Sequence, residues 1–163
     1  MNRKIILLGE QFLVVLGLEI FFLNYFKSTL TPSFFLIWLL ILVWEGNVEL
    51  SLFLSFITGL IYDLISKGFY GMTSVIFLVI IYINSFLRIE SMAGRISGIF
   101  IFSLIYFIMG LFKYTEGFLW NFRTLVRYSF IFALYNSIVG FFIEYGMRRL
   151  RLKWKMKRDY LSI

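Results

Sequence analysis

The chain has 163 residues, of which 61% are hydrophobic and 21% aromatic, whereas only 15% are charged and the net charge is +7. Because about 25% of the residues of an ordinary soluble domain are charged, this composition excludes such a domain and predicts an all-α, polytopic membrane protein. The chain contains no cysteine and no histidine, so disulfides, thiol catalysis and the commonest metal ligand are excluded.

Apolar runs separated by polar breaks predict about six transmembrane helices. The first, over residues 5–26, follows basic residues as a signal peptide does, but it contains two glutamates and lacks a small-residue cleavage site, so we interpret it as a retained helix. The second, over residues 32–44, is only about 20 Å long, and we expect it to be short or re-entrant. Its backbone must then be covered by protein or line a water-filled cavity. The remaining helices are predicted over residues 48–66, 72–87, 96–112 and 124–147.

The distribution of basic residues predicts the orientation, because lysine and arginine favour the cytoplasmic side. With the N-terminus inside, eleven of the 16 Lys and Arg residues are cytoplasmic and five lie outside. We therefore predict that both termini are cytoplasmic, which six crossings satisfy; five crossings and a re-entrant loop are the alternative. The predicted domains are a six-helix transmembrane domain over residues 1–147 and a basic cytoplasmic tail over residues 148–163.

The tail alternates basic and apolar residues. As a helix it would spread its charge around the axis, whereas an extended tail would have one basic and one apolar face. We interpret it as a topology anchor that contacts anionic lipid, and a contact with a cytoplasmic filament protein is the alternative. Its basic residues are Arg148, Arg149, Arg151, Lys153, Lys155, Lys157 and Arg158.

Acidic side chains within the predicted membrane segments are candidates for function, because ionisable groups are costly at that depth. Glu10 and Glu144 lie near helix ends, where they can reach the interface, and Glu144 has an i,i+4 arginine as a partner. Glu19 lies on the opposite face of the first helix from Glu10, and we expect it to face the bundle interior. Its expected partners are Asn24, Arg127 or a lipid-embedded group. Glu19, Asn24 and Arg127 together form a candidate pocket.

A glycine-rich hairpin is predicted between the third and fourth helices. Gly59 allows a neighbouring helix to approach closely, and Gly68 and Gly71 permit a sharp turn with positive φ. We expect the Asp63 carboxylate to be held at this tightly packed hairpin, where it accepts hydrogen bonds from backbone N–H groups or from an arginine of an outer loop. An intrahelical pair with Lys67 at i+4 is the alternative.

The hairpin resembles the rod shape-determining membrane protein MreD family. That family has an apolar helix with G-x-x-x-D, a glycine turn and a second apolar helix that ends in arginine, and the matching residues here are Gly59, Asp63, Gly68, Gly71 and Arg88. Total length, a short second helix that begins at a proline and a basic C-terminus also agree. The resemblance implies a fold similar to the six-helix substrate-binding subunits of energy-coupling-factor vitamin transporters.

The resemblance also implies a function, which is that of a non-enzymatic scaffold in the bacterial inner membrane for lateral cell-wall elongation. The implied partners are a single-span MreC-type protein, the MreB filament, RodA and penicillin-binding protein 2. The protein is expected to bind no nucleic acid and no cofactor. The residues themselves predict no enzyme, because the scattered carboxylates form no paired motif for acid–base or metal chemistry. The alternative is a vitamin-binding transporter subunit, with a pocket lined by Glu19, Asn24, Asp63, Arg123 or Arg127.

Overall fold

The structure, a computed structural model, describes residues 3–26, 32–66, 71–87, 89–111 and 122–160. Every secondary-structure element in these ranges is an α-helix, which confirms the predicted all-α class. The helices are α1 (Arg3–Phe26), α2 (Phe34–Trp44), α3 (Val48–Ser66), α4 (Met72–Ser85), α5 (Met92–Leu111) and α6 (Phe122–Tyr160). Their order agrees with the six predicted segments, although α5 begins four residues earlier than predicted and α6 continues into the predicted tail.

Four of the six helices are long and apolar enough to cross a membrane, namely α1, α3, α5 and α6. The other two are shorter, since α2 has 11 residues and α4 has 14. At about 1.5 Å per residue these two helices are shorter than a hydrocarbon core of about 30 Å. The chain is therefore a membrane protein, while the number of crossings and the sides of its termini stay predictions.

The short helix α2 lies at the centre of the bundle, where it contacts each of the other five helices. Its residues from Phe34 to Val43 are all buried. Since α2 is apolar on every side, it can be stable only if protein or lipid covers its whole circumference. The core around it is completed by Ile76, Phe77, Ile80 and Ile81 of α4 and by Ile99 and Phe102 of α5. The expectation that protein covers the second helix is thus confirmed.

Two helix hairpins provide most of the remaining packing, α3 against α4 and α5 against α6. Small residues allow close approach at these contacts and around α2. A Cβ added at Gly140 of α6 would press into the Ile99 side chain of α5, and one at Gly98 of α5 would press into the Trp44 ring at the end of α2. By contrast, α1 packs chiefly on α2.

Candidate functional site

The predicted hairpin carries its carboxylate at the start of α4. Asp63 of α3 is fully buried and accepts a hydrogen bond from the Thr73 backbone N–H at 3.1 Å and another from the Thr73 hydroxyl. The first N–H groups of a helix have no partner within that helix, and a negative charge there also complements the helix dipole. The expectation that Asp63 accepts backbone hydrogen bonds at this hairpin is therefore confirmed.

Two glycines of the hairpin, Gly59 and Gly71, have the roles that their spacing predicts. Gly71 precedes α4 with φ +88°, the left-handed region that glycine adopts at little cost. Gly59 lies directly against α4, where an added Cβ would overlap the backbone of Ser74. The two helices are joined there by a bond from the Ser74 hydroxyl to the Phe56 carbonyl, at 3.0 Å. Gly68 and the alternative partner Lys67 lie outside the described residues.

A second buried carboxylate lies at the start of α2. Glu19 of α1 is 1% exposed, and its Oε2 accepts the Phe35 backbone N–H at 3.1 Å. Glu19 therefore faces the bundle interior, as expected, but its partner is a helix N-terminus and not Asn24 or Arg127. Those two side chains are exposed on α1 and α6. The pocket predicted from these three residues stays a prediction.

Further polar groups complete the start of α2. The Ser33 hydroxyl caps the helix by accepting the Leu36 N–H at 3.4 Å. The Ser33 N–H in turn donates to Asn136 Oδ1 of α6 at 3.0 Å, and Asn136 Nδ2 donates to the Ser103 hydroxyl of α5 at 3.0 Å. All of these side chains are buried, so the network connects α2, α5 and α6 through satisfied polar groups.

The opposite end of α2 is held by an arginine. Arg95 of α5 donates to the Trp44 carbonyl at 3.3 Å and forms an ion pair with Glu144 of α6 at 2.9 Å. Its guanidinium also lies 5.9 Å from the centre of the Trp44 ring. Glu144 is fully buried and accepts a second bond from Arg148 at 2.7 Å, as its i,i+4 spacing predicts. The Trp44 indole N–H donates to Asn84 Oδ1 of α4 at 3.2 Å.

These contacts give α2 a carboxylate at its N-terminus and a guanidinium at its C-terminus. The arrangement places a hydrogen-bond acceptor beside the N–H groups at the start of the helix and a donor beside the carbonyl groups at its end. It also provides partners for backbone groups that a short helix would leave unsatisfied in lipid. The chemistry of the arrangement is structural, because it fixes the ends of α2 to four neighbouring helices.

The other predicted residues lie at the surface or along the helical tail. Glu10 is exposed on α1, and Arg149 is exposed on α6. The predicted tail continues α6 as a helix as far as Tyr160, which distributes its basic residues around the axis. The side chains of Arg151, Lys153, Lys155, Lys157 and Arg158 lie outside the described part of the chain.

The sequence analysis missed three residues of these networks. The predicted fifth helix begins at residue 96 and excludes Arg95, whereas α5 begins at Met92 and contains Arg95 in its first turn. Asn136 and Asn84 lie in long apolar runs, and a lone amide at such a position is a signal for a buried hydrogen bond. Among the described residues, no group of three or more Asp, Glu, His or Cys could hold a metal ion.

No family model, no curated protein and no solved structure matches this chain. The function is therefore proposed from the sequence and the fold alone.

Proposed function

We propose that the protein is a non-enzymatic membrane scaffold of the MreD type. In this role it binds a single-span MreC-type protein in the bacterial inner membrane. Through that partner it joins an MreB-type cytoplasmic filament to the peptidoglycan synthases RodA and penicillin-binding protein 2. The basic tail contacts anionic lipid at the cytoplasmic surface, where each basic residue contributes about 1 kcal/mol.

The observation that carries the proposal is the α3–α4 hairpin. Its sequence pattern is the one that resembles the MreD family, and the three motif residues that the structure describes each meet a specific requirement of the hairpin. Gly59 lies against the α4 backbone, Asp63 bonds the first turn of α4, and Gly71 has positive φ. A motif that is explained by the geometry of one hairpin supports the resemblance more strongly than a match in hydropathy does.

The scaffold is favoured over a vitamin-binding subunit by the way the buried polar groups are used. A ligand pocket needs polar side chains that face a cavity. Glu19 and Asp63, two residues of the alternative pocket, instead bond the first turns of α2 and α4. Asn136 bonds Ser33 and Ser103 in the same way. These groups stabilise the helix bundle itself. This use of the buried polar groups is consistent with a scaffold, which binds its partner at its outer surface.

Co-purification with a single-span MreC-type protein tests the proposal. We expect the wild-type chain to retain this partner in mild detergent, and Asp63→Leu to lose it because the hairpin opens when its carboxylate is removed. Glu49→Leu is the matched control, since Glu49 is an exposed acid on the same helix. Gel filtration and thermal unfolding show whether each variant is folded.

Two results would contradict the proposal. Failure of the wild-type chain to retain the MreC-type partner would remove the scaffold function. A marked thermal stabilisation by a vitamin, measured on the purified chain alone, would replace it with the transporter function. If a folded Asp63→Leu variant keeps the partner, the hairpin has no part in binding.

A further inference from the structure

The outer face of α1 is the least covered surface among the four helices that can span the membrane. Only 11% of its apolar window is buried, compared with 28%, 22% and 33% for α3, α5 and α6. Along this face, exposed residues recur with alternating steps of three and four, which is the spacing of a helix–helix seam. The seam residues are Glu10, Leu13, Gly17, Ile20 and Asn24.

Gly17 lies at the middle of the seam and has no packing role within the described chain. Among the described residues, no atom lies within 4 Å of a Cβ added there, as is also true of Gly9, Gly110 and Gly146, whereas Gly59, Gly98 and Gly140 lie against neighbouring helices. Glycine is a poor helix former, so its presence at mid-helix calls for a reason. A second helix that approaches closely at this point provides one, because small residues allow membrane helices to pack.

The surface around Gly17 carries a shallow, open depression. The depression is lined by Gly17, Ile20, Phe21, Asn24 and Tyr25. The Phe21 and Tyr25 rings stack with their centres 5.5 Å apart and form one side of it. A row of side chains from a second helix can enter such a depression in the manner of knobs into holes.

Polar groups mark both ends of the seam. Glu10 lies near the start of the apolar window and Asn24 near its end. Within the described ranges, neither side chain has a hydrogen bond or an ion pair, and both are exposed. At the two ends of the window a carboxylate and an amide can reach the membrane interface, and both remain available to hydrogen-bond donors of another helix.

We propose that this face of α1 is the docking site for a single transmembrane helix. The partner helix has a small residue opposite Gly17 and a basic side chain at the level of Glu10. The identity of that helix as the membrane span of an MreC-type protein rests on the proposed function, whereas its chemistry is inferred from the seam alone.

A second copy of the chain is a poorer occupant. Copies inserted with the same orientation can pair their α1 helices only in parallel. A parallel pair would bring the two Glu10 carboxylates together, and like charges at a helix contact are destabilising. The Glu10 carboxylate therefore favours a helix of another protein, with a basic side chain at its level, over a second copy of this chain.

Disulfide cross-linking in lipid vesicles tests the proposal, because the chain has no cysteine of its own. The probe is a synthetic Leu/Ala helix with a central glycine, one cysteine and an arginine at the level of Glu10. Leu13→Cys places a thiol on the seam, and Phe142→Cys places one on an exposed site of α6, as the control. We expect about tenfold more cross-linking from Leu13→Cys than from Phe142→Cys.

Second-site variants show whether the seam itself is recognised. In the Leu13→Cys background, Gly17→Leu should reduce cross-linking about tenfold, while Gly110→Leu on α5 should leave it unchanged. Among the described residues, neither position has an atom within 4 Å of an added Cβ, so both variants should fold. Glu10→Gln should remove the preference for the arginine probe over the same peptide with leucine.

Three results would overturn the docking site: equal cross-linking from both cysteines, indifference to Gly17→Leu, or a dominant cross-link between two Leu13→Cys chains. The experiments distinguish a failure of the docking site on α1 from a failure of the proposed function. An MreC-type partner that co-purifies equally well with Gly17→Leu would leave the function intact and refute this face. Selective capture of the arginine probe without retention of that partner would support the face and refute the function.

Discussion

Because Gly59 lies directly against α4, we predict that adding one methyl group there lowers the stability of the protein. In Gly59→Ala the new Cβ would overlap the backbone of Ser74, which no side-chain rotation can relieve. The variant must therefore move α3 away from α4. Such overpacking costs about 1–3 kcal/mol. The movement also stretches the bond from the Ser74 hydroxyl to Phe56 and the Asp63 bonds to the first turn of α4.

The matched control is Gly110→Ala on α5, where an added Cβ meets no atom of the described residues within 4 Å. Alanine is the better helix former by about 1 kcal/mol, so this variant should be as stable as the wild type or slightly more stable. The same substitution thus has opposite expected effects on two helices of one bundle.

Thermal unfolding of the purified protein in mild detergent measures the difference. For a chain of this size, each kcal/mol corresponds to roughly 2–4 °C in Tm. Gly59→Ala should therefore lower the Tm by roughly 2–12 °C, while Gly110→Ala should keep or raise it. Equal Tm values for Gly59→Ala and the wild type would show that α3 and α4 do not pack in the way described.

Other variants test the ends of α2 and the orientation of the chain. Glu19→Leu removes the acceptor from the first turn of α2 and should cost about 1–3 kcal/mol in thermal unfolding, whereas Glu10→Leu should cost little; equal effects would refute the capping role. Glu144→Leu leaves the mostly buried Arg95 charge without its carboxylate partner and should cost about 3–5 kcal/mol, and adding Arg95→Met should recover part of the loss. If the double variant is no more stable than Glu144→Leu, the pair is not coupled. Lys155→Cys in intact cells should react with a membrane-impermeant maleimide only after permeabilisation, and labelling before it would reverse the predicted orientation.

Much of the fold could be predicted because its strongest signals are local. The polar breaks that separate the apolar runs identified all six helices, and the short length of α2 predicted that it would be covered by protein or line a water-filled cavity, of which the structure shows the first. The hairpin was predicted for the same reason. Gly59, Asp63 and Gly71 lie within 13 residues of one another, so their spacing alone brings them to one helix–helix contact and one turn.

The contacts between distant helices could not be predicted in this way. Arg95 and Glu144 are 49 residues apart, and their pairing depends on how α5 and α6 are rotated and shifted against each other. Helical periodicity correctly turned Glu19 towards the interior, but it could not show that α2 begins beside it. The first turn of α2 therefore took the place of the side-chain partners that were expected for this carboxylate.

The enclosure of α2 has a consequence for biosynthesis. A helix of 11 residues is too short to leave the translocon as an independent span, and its partners emerge from the ribosome at different times. Glu19 is made before α2, but Asn136 and Glu144 belong to the last helix. Until α6 is inserted, Ser33 lacks its amide acceptor and Arg95 lacks its counter-ion. The polar contacts at both ends of the central helix are therefore complete only after the C-terminal helix has been made and inserted.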